Sequence, residues 1–314
     1  NNVYKSLNNY VPDQNLSANI DLPEIIVDVA DNKVQTTPQS LQKAKTQPVA
    51  IIDRTIDKDI PVSSVNSSNT FAFIIGNENY QNVASVPFAA NDAKIFSEYC
   101  HKTLGLPKEN IKVYIDATYG KILGALSTLK QISQAYKGDI NVIFYYAGHG
   151  VPNEKNNEAY LLPADATPSM LEACLPLSSL YSSIGSIDAK QAIVFMDACF
   201  SGSRRENGMI VSARGVAIKP KKDIVTGNVV VFSAADGSET AYPYKEKGHG
   251  LFTYFLLKKL KESRGNVTLG DLADYIKTNV SQKSIVVNNK SQTPTISSSA
   301  QMQDVWRTMK LYRK

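Results

Sequence analysis

The chain has 314 residues, 43% of them hydrophobic and 20% charged, with a formal net charge of +5. That is ordinary for a soluble globular protein, with room for one large domain or two small ones. The mild charge, without a Lys/Arg block or basic–aromatic alternation, excludes a nucleic-acid surface, and the apolar runs are far too short to cross a bilayer, so neither nucleic acid nor membrane is expected as a partner. No signal-peptide pattern opens the chain. It begins at Asn1 rather than Met, as expected of a trimmed start, so its location is left open between cytoplasm and export. Cys100, Cys174 and Cys199 are odd in number and lack CxxC spacing, which excludes a disulfide framework and a zinc site.

Residues 1–69 contain no Gly, Phe or Trp and are dominated by Asn, Ser, Thr, Gln and Pro. They read as a partly extended arm or pro-segment, ending at the boundary VSSVNSSN (62–69). From Phe71 onward short, continuous apolar runs follow: FAFIIG (71–76), IKVYI (111–115), NVIFYYA (141–147), AYLL (159–162), QAIVFMDA (191–198) and NVVVFSA (228–234). Runs of this kind suit strands buried on both faces, hence a mostly parallel sheet. Between them lie helical patterns. One carries Phe88, Ile95, Phe96, Tyr99 and Leu104; a second places Ile122, Leu123, Leu126, Leu129, Ile132 and Tyr136 on one face. GLFTYFLLKKLKES and TLGDLADYIKTNV predict two more. Strands alternating with helices give an α/β fold with helices on both sheet faces.

In such a sheet, sites form outside the carboxyl ends of the strands. NVIFYYA runs into GHG with His149, and QAIVFMDA runs into Cys199. If these two strands are neighbours, their ends bring the histidine and the cysteine together. Gly148, Gly150 and Gly202 allow sharp turns and close substrate approach. The thiolate is the nucleophile, and a histidine within hydrogen-bonding reach can hold its proton and later give it to a leaving amine. Each residue also has a structural reading: a paired histidine at a strand end, and a small buried cysteine. Cys100 lies on a helix and Cys174 in a loop, so both read as inert. His249, in a second GHG at 248–250, reads as a helix cap or a substrate-side loop residue, and His101 as a helix C-terminal cation.

YYAGHG (145–150) followed by DACFSG (197–202) resembles the caspase-like cysteine peptidases, and within them the bacterial metacaspase-like branch; the separation of the two boxes is a known caspase spacing. FAFIIGNENY, NDAKIF and QTPT (292–295) are similar to further family segments, so the likeness runs over roughly residues 70–300. It implies a caspase-like three-layer sandwich over 70–314, built on a mostly parallel six-stranded sheet. It implies His149 as general base and acid, Cys199 as nucleophile, and the Gly150 and Cys199 N–H groups as oxyanion hole. It implies an S1 pocket of carboxylates, Asp92 and Asp197 with Asp236 as a third candidate, selecting Arg or Lys at P1. Asp197 can also be read as a strand-end residue capping nearby N–H groups.

Two departures from the branch stand out. Ala147 replaces a serine common two residues before the histidine. Asp165 matches one calcium-binding acid, but LPLSSLY stands where paired acids are expected, so neither metal nor cofactor is expected. The basic segment 203–227 corresponds to the family's inter-subunit loop, with Arg204, Arg205, Arg214 and Lys222 as candidate self-cleavage points of a zymogen. A solvated surface loop is the other reading. The arm 1–69 is expected to lie over the cleft as an inhibitory segment. The expected activity is a monomeric cysteine endopeptidase acting on protein or peptide substrates with basic P1 residues. The alternative is a regulatory caspase-fold module without catalysis. A nucleotide-binding fold is set aside, because neither GxGxxG nor GxxxxGK[ST] occurs.

Overall fold

A computed structural model of the chain describes residues 52–201 and 224–312. Its elements, in chain order, are β1 (Thr70–Gly76), α1 (Ala89–Lys102), β2 (Ile111–Ile115), α2 (Tyr119–Ala135) and β3 (Asn141–Ala147). The short β4 (Gly150–Pro152), β5 (Ala159–Leu161) and β6 (Leu175–Pro176) follow, then α3 (Leu177–Gly185), β7 (Gln191–Asp197) and β8 (Val229–Ser233). Last come β9 (Pro243–Tyr244), β10 (His249–Gly250), α4 (Leu251–Ser263), α5 (Leu269–Asn288) and β11 (Thr295–Ser298).

Six strands form the central sheet in the order β11-β8-β7-β3-β1-β2. All neighbours run parallel except β11, which is antiparallel to β8. Every residue of β1, β3 and β7 is buried. Their side chains alternate between two cores, as a period of two requires. Ala72, Ile74, Ile143, Tyr145, Ile193 and Phe195 face the layer of α1, α4 and α5. Phe73, Ile75, Val142, Phe144, Val194 and Met196 face α2 and α3. The result is the expected three-layer α/β sandwich.

This alternation bears directly on function. By parity Asp197, at the end of β7, falls on the same face as Ile193 and Phe195, the face covered by α1 and α4. Asp92 arrives there from above: on α1 it shares the buried stripe with Ala89, Ala93, Phe96 and Tyr99. Two carboxylates are thus driven into one interior by the same periodicities that bury the apolar residues.

Several elements differ from the sequence expectation. AYLL does not join the main sheet; β5 pairs antiparallel with β4 and β6 in a separate three-stranded sheet. The sixth main strand is β11, built from TISS, whose residues are all half-buried; an edge strand of Ser and Thr carries no apolar signal. Helix α3 has buried Leu177, Leu180, Tyr181 and Ile184 but only nine residues, and its serines mask the pattern. On α2 Leu123 is 42% exposed, because it stands about 100° around the helix from Ile122.

The described part of the arm, 52–69, packs on the same unit, which runs Val49–Lys314. Ile56 is buried and its carbonyl accepts from the Tyr99 hydroxyl of α1 (2.8 Å). Ser63 N–H donates to Lys102 O and Thr103 Oγ1 to Pro61 O, and Lys261 of α4 donates to the Thr55 and Lys58 carbonyls. Backbone polar groups tie this stretch to α1 and α4 although its sequence has little apolar patterning. The remainder of the arm, Gly202, and the candidate self-cleavage residues Arg204, Arg205, Arg214 and Lys222 lie outside the described residues.

Candidate active site

β3 and β7 are adjacent and parallel, with Ala147 opposite Asp197. The chain leaves both strands at the same edge of the sheet. His149 and Cys199, each two residues past this matched pair, therefore emerge side by side, and both are buried. Their proximity also shows at Gly150, where a Cβ would stand 2.6 Å from Cys199 O and 2.3 Å from the Phe200 ring. Any side chain there would push against the nucleophile's own backbone.

The histidine is held at its ring and at its backbone. Its Nε2 lies 2.8 Å from Ala84 O. A carbonyl only accepts, so Nε2 carries a proton and Nδ1 is left as the nitrogen that can gain and lose one. The His149 N–H donates to the Tyr80 hydroxyl, and the Tyr146 hydroxyl donates to His149 O, both at 2.8 Å. The Tyr80 ring packs on the imidazole with centroids 4.8 Å apart. The GHG turn is thus clamped between two tyrosines, and the Ala84 carbonyl and the Tyr80 ring orient the imidazole. Ala84 acts through its backbone, which no side-chain pattern announces; Tyr80 lies at the end of FAFIIGNENY, where only its neighbours suggested a role.

Asp92 and Asp197 do come together. Both are fully buried, and both carboxylates converge on Gly250, where a Cβ would meet Asp197 Oδ2 at 2.3 Å and Asp92 Oδ2 at 3.1 Å. Gly250 N–H donates to Asp92 Oδ2 (2.9 Å). The Thr253 hydroxyl donates to Asp197 Oδ2 (2.7 Å) and itself lies 2.7 Å from the Tyr145 hydroxyl. Burial is the main force pushing the Asp92 pKa up, to about 6; the adjacent Asp197 adds to it, and a hydrogen bond from His249 opposes it. Thr253 and Tyr145 were passed over in sequence because they look like helix and strand core. His249 is neither cap nor substrate-side loop. Gly250 is the N-cap of α4, and the His249 ring is fully buried between Asp57 and Asp92.

Asp236 is half-buried on an open groove of about 620 Å³ that also touches Phe200, Ser233, Thr293 and Trp306. Its loop is pinned by QTPT. The buried Gln292 amide donates to Ala234 O (2.9 Å) and accepts from Tyr242 N (2.8 Å), and Thr293 N–H donates to the Glu239 carboxylate. Burial first, with Cys199 and Glu239 nearby, holds the Tyr242 phenol above its usual range. Burial pushes the Cys100 thiol far up and the Cys174 thiol up to about 12, so neither forms a thiolate readily. Asp165 Oδ1 accepts from Tyr119 N–H at the start of α2 (3.0 Å).

Comparison with known proteins identifies the family and the fold. A paracaspase of Dictyostelium discoideum is 29% identical over 203 residues, which cover 64% of this chain and 46% of that protein, so the match spans less than half the relative's length. Caspase-1 of Spodoptera frugiperda superposes with a TM-score of 0.56 at 15% identity, covering 84% of this chain and 96% of that one. A protein of Geobacter sulfurreducens does so with a TM-score of 0.57 at 17% identity, covering 77% and 97%. These two likenesses show the fold. The caspase-domain family model matches residues 69–305, and the chain belongs to the caspase-like peptidase family.

Proposed function

We propose that this protein is a cysteine endopeptidase that cleaves peptide bonds after Arg or Lys. The observation that carries the reading is the pairing of β3 with β7, which delivers His149 and Cys199 to one sheet edge. The Cys199 thiol gives its proton to His149 Nδ1, and Sγ attacks the scissile carbonyl to form a C–S bond. The tetrahedral oxyanion is held by the Gly150 and Cys199 N–H groups. Its collapse breaks the C–N bond as the imidazolium protonates the leaving amine. Water, deprotonated by the neutral imidazole, then hydrolyses the thioester and returns the thiol. The bond from His149 Nε2 to Ala84 O supports this role, because it keeps Nδ1 as the working nitrogen.

The basic P1 preference rests on three carboxylates. Asp236 on the groove meets the P1 cation, and the buried Asp92 and Asp197 supply negative potential from the pocket floor. The acidic floor also supports a place in the metacaspase-like branch. Arg204, Arg205, Arg214 and Lys222 are the corresponding self-cleavage points of a zymogen. The second reading, a regulatory module, is favoured by one observation: Asp92 and Asp197 already have internal donors.

The test uses fluorogenic peptides ending in Arg, Lys or Asp, with wild type beside Cys199→Ala. Turnover of the Arg and Lys peptides by wild type alone is expected. Cleavage after Asp only would sink the specificity, activity surviving in Cys199→Ala would remove the nucleophile, and no cleavage of any peptide would favour the regulatory module.

A further inference from the structure

Behind Asp92 lies a charged group that the dyad does not use. His249 places Nδ1 2.6 Å from Asp92 Oδ1 and Nε2 2.7 Å from Asp57 Oδ1. With both carboxylates ionised, both contacts are hydrogen bonds only if the ring is doubly protonated. A neutral imidazole donates from one nitrogen and would turn a lone pair on the other carboxylate. Asp57 comes from the segment ahead of β1, Asp92 from α1, and His249 from the strand that leads into α4, so three distant stretches of chain meet on one ring.

Charges of both signs and one aromatic ring surround this group. Arg54 lies 3.8 Å from Asp57 Oδ2. From β7, Asp197 stands across Gly250. From α4, the Tyr254 ring lies 6.4 Å away; Tyr244 of β9 meets Tyr254 edge-on and the Lys247 ammonium lies 5.9 Å from its centroid. Burial alone would strip the proton from His249, but the hydrogen bonds to Asp57 and Asp92 outweigh it and hold the ring up at about 9.

We infer that Asp57 and His249 are positioning and specificity-determining residues, a buried carboxylate–imidazolium–carboxylate relay that keeps Asp92 ionised and aimed beside Asp197. The inference rests on the reading of these two acids as the floor of a pocket for basic side chains. Two neighbouring buried carboxylates cannot both stay charged without compensation. The imidazolium supplies it, and Asp57 is the counter-charge that keeps the imidazolium protonated. Asp92 Oδ2 is then free to hold Gly250 N–H, which begins the helix that carries Thr253 to Asp197. The segment ahead of the first strand is on this account part of the specificity pocket.

The test uses the full chain and two readouts. NMR titration follows the imidazoles of His101, His149 and His249, with His249→Gln identifying the third. Steady-state kinetics uses an Arg-ended peptide. In wild type, His249 titrates well above an ordinary histidine. In Asp57→Asn its midpoint drops by about one to three pH units, the usual effect of one adjacent charge, and Asp57→Glu restores it. At about pH 8, Asp57→Asn raises KM on the order of tenfold with kcat little changed, the loss expected for one charged hydrogen bond acting on binding alone. A wild-type midpoint near the unperturbed value of about 6.5, or one that Asp57→Asn leaves unmoved, overturns the relay. A fall in kcat at constant KM overturns its role in specificity. If wild type cleaves no basic peptide, the functional reading fails, while the titration still decides whether the relay exists.

Discussion

The high pKa of His249 predicts how the stability of this protein depends on pH. An unfolded histidine titrates at 6.5, and the folded one at about 9 because Asp57 and Asp92 outweigh the cost of burial. At about 1.4 kcal/mol per pH unit, the difference is worth about 3 kcal/mol. The folded pKa is the higher, so the folded state binds more protons between these values. The stabilisation is therefore complete below pH 6.5 and lost as pH rises through 9. Asp92 acts in the same direction but at lower pH: its folded pKa of about 6 exceeds the ordinary aspartate value of 3.8, so the stability it costs is already lost between those values, below the window in which His249 titrates. The perturbation is a change from about pH 6.5 to about pH 9.5. The assay is urea unfolding followed by the fluorescence of Trp306, the single tryptophan. Wild type should lose about 3 kcal/mol across this range. In His249→Gln, which cannot take up the proton, most of that loss should vanish. An equal loss in both proteins would refute the linkage, since the proton released would then belong to another group.

Thr253→Val removes the hydroxyl that donates to Asp197 and leaves a buried carboxylate short of a donor. It should cost about 1.5–3 kcal/mol in stability and raise KM for basic peptides; an unchanged midpoint in thermal melts would show that the Tyr145 and Thr253 hydroxyls do not support Asp197. Deletion of residues 1–67 removes buried Ile56 and leaves the Tyr99 hydroxyl without the Ile56 carbonyl. The truncated chain should lose at least about 2 kcal/mol from the apolar side chain alone and be less active than the full chain. Higher activity would support the inhibitory role expected of the arm 1–69.

Much of this fold is legible in the sequence because a buried parallel sheet has a plain signature. β1, β3 and β7 are continuous apolar runs because both their faces are covered. β11 is invisible by the same logic, since an edge strand of Thr, Ile and Ser makes its hydrogen bonds through the backbone and buries little. The dyad is legible because a reactive side chain directly after a strong strand has few structural reasons to be there. The partners of the dyad are not: Ala84 contributes only a carbonyl, and Tyr80 and Tyr146 contribute hydroxyls whose targets are fixed by how the turn folds.

By itself the amino-acid sequence determined the α/β class, the two strand ends that carry His149 and Cys199, and the presence of acids at 92, 197 and 236. The tertiary structure decided which strands are neighbours, that Asp92 and Asp197 share one interior while Asp236 stands on a groove, and that His249 is an ion-paired cation. The physical reason is range. Periodicity and turn chemistry act over a few residues, and a sequence displays them. The charge state of a buried group depends on whatever the fold brings within a few ångströms, and for His249 one of those groups is Asp57, from the far side of the chain's first strand.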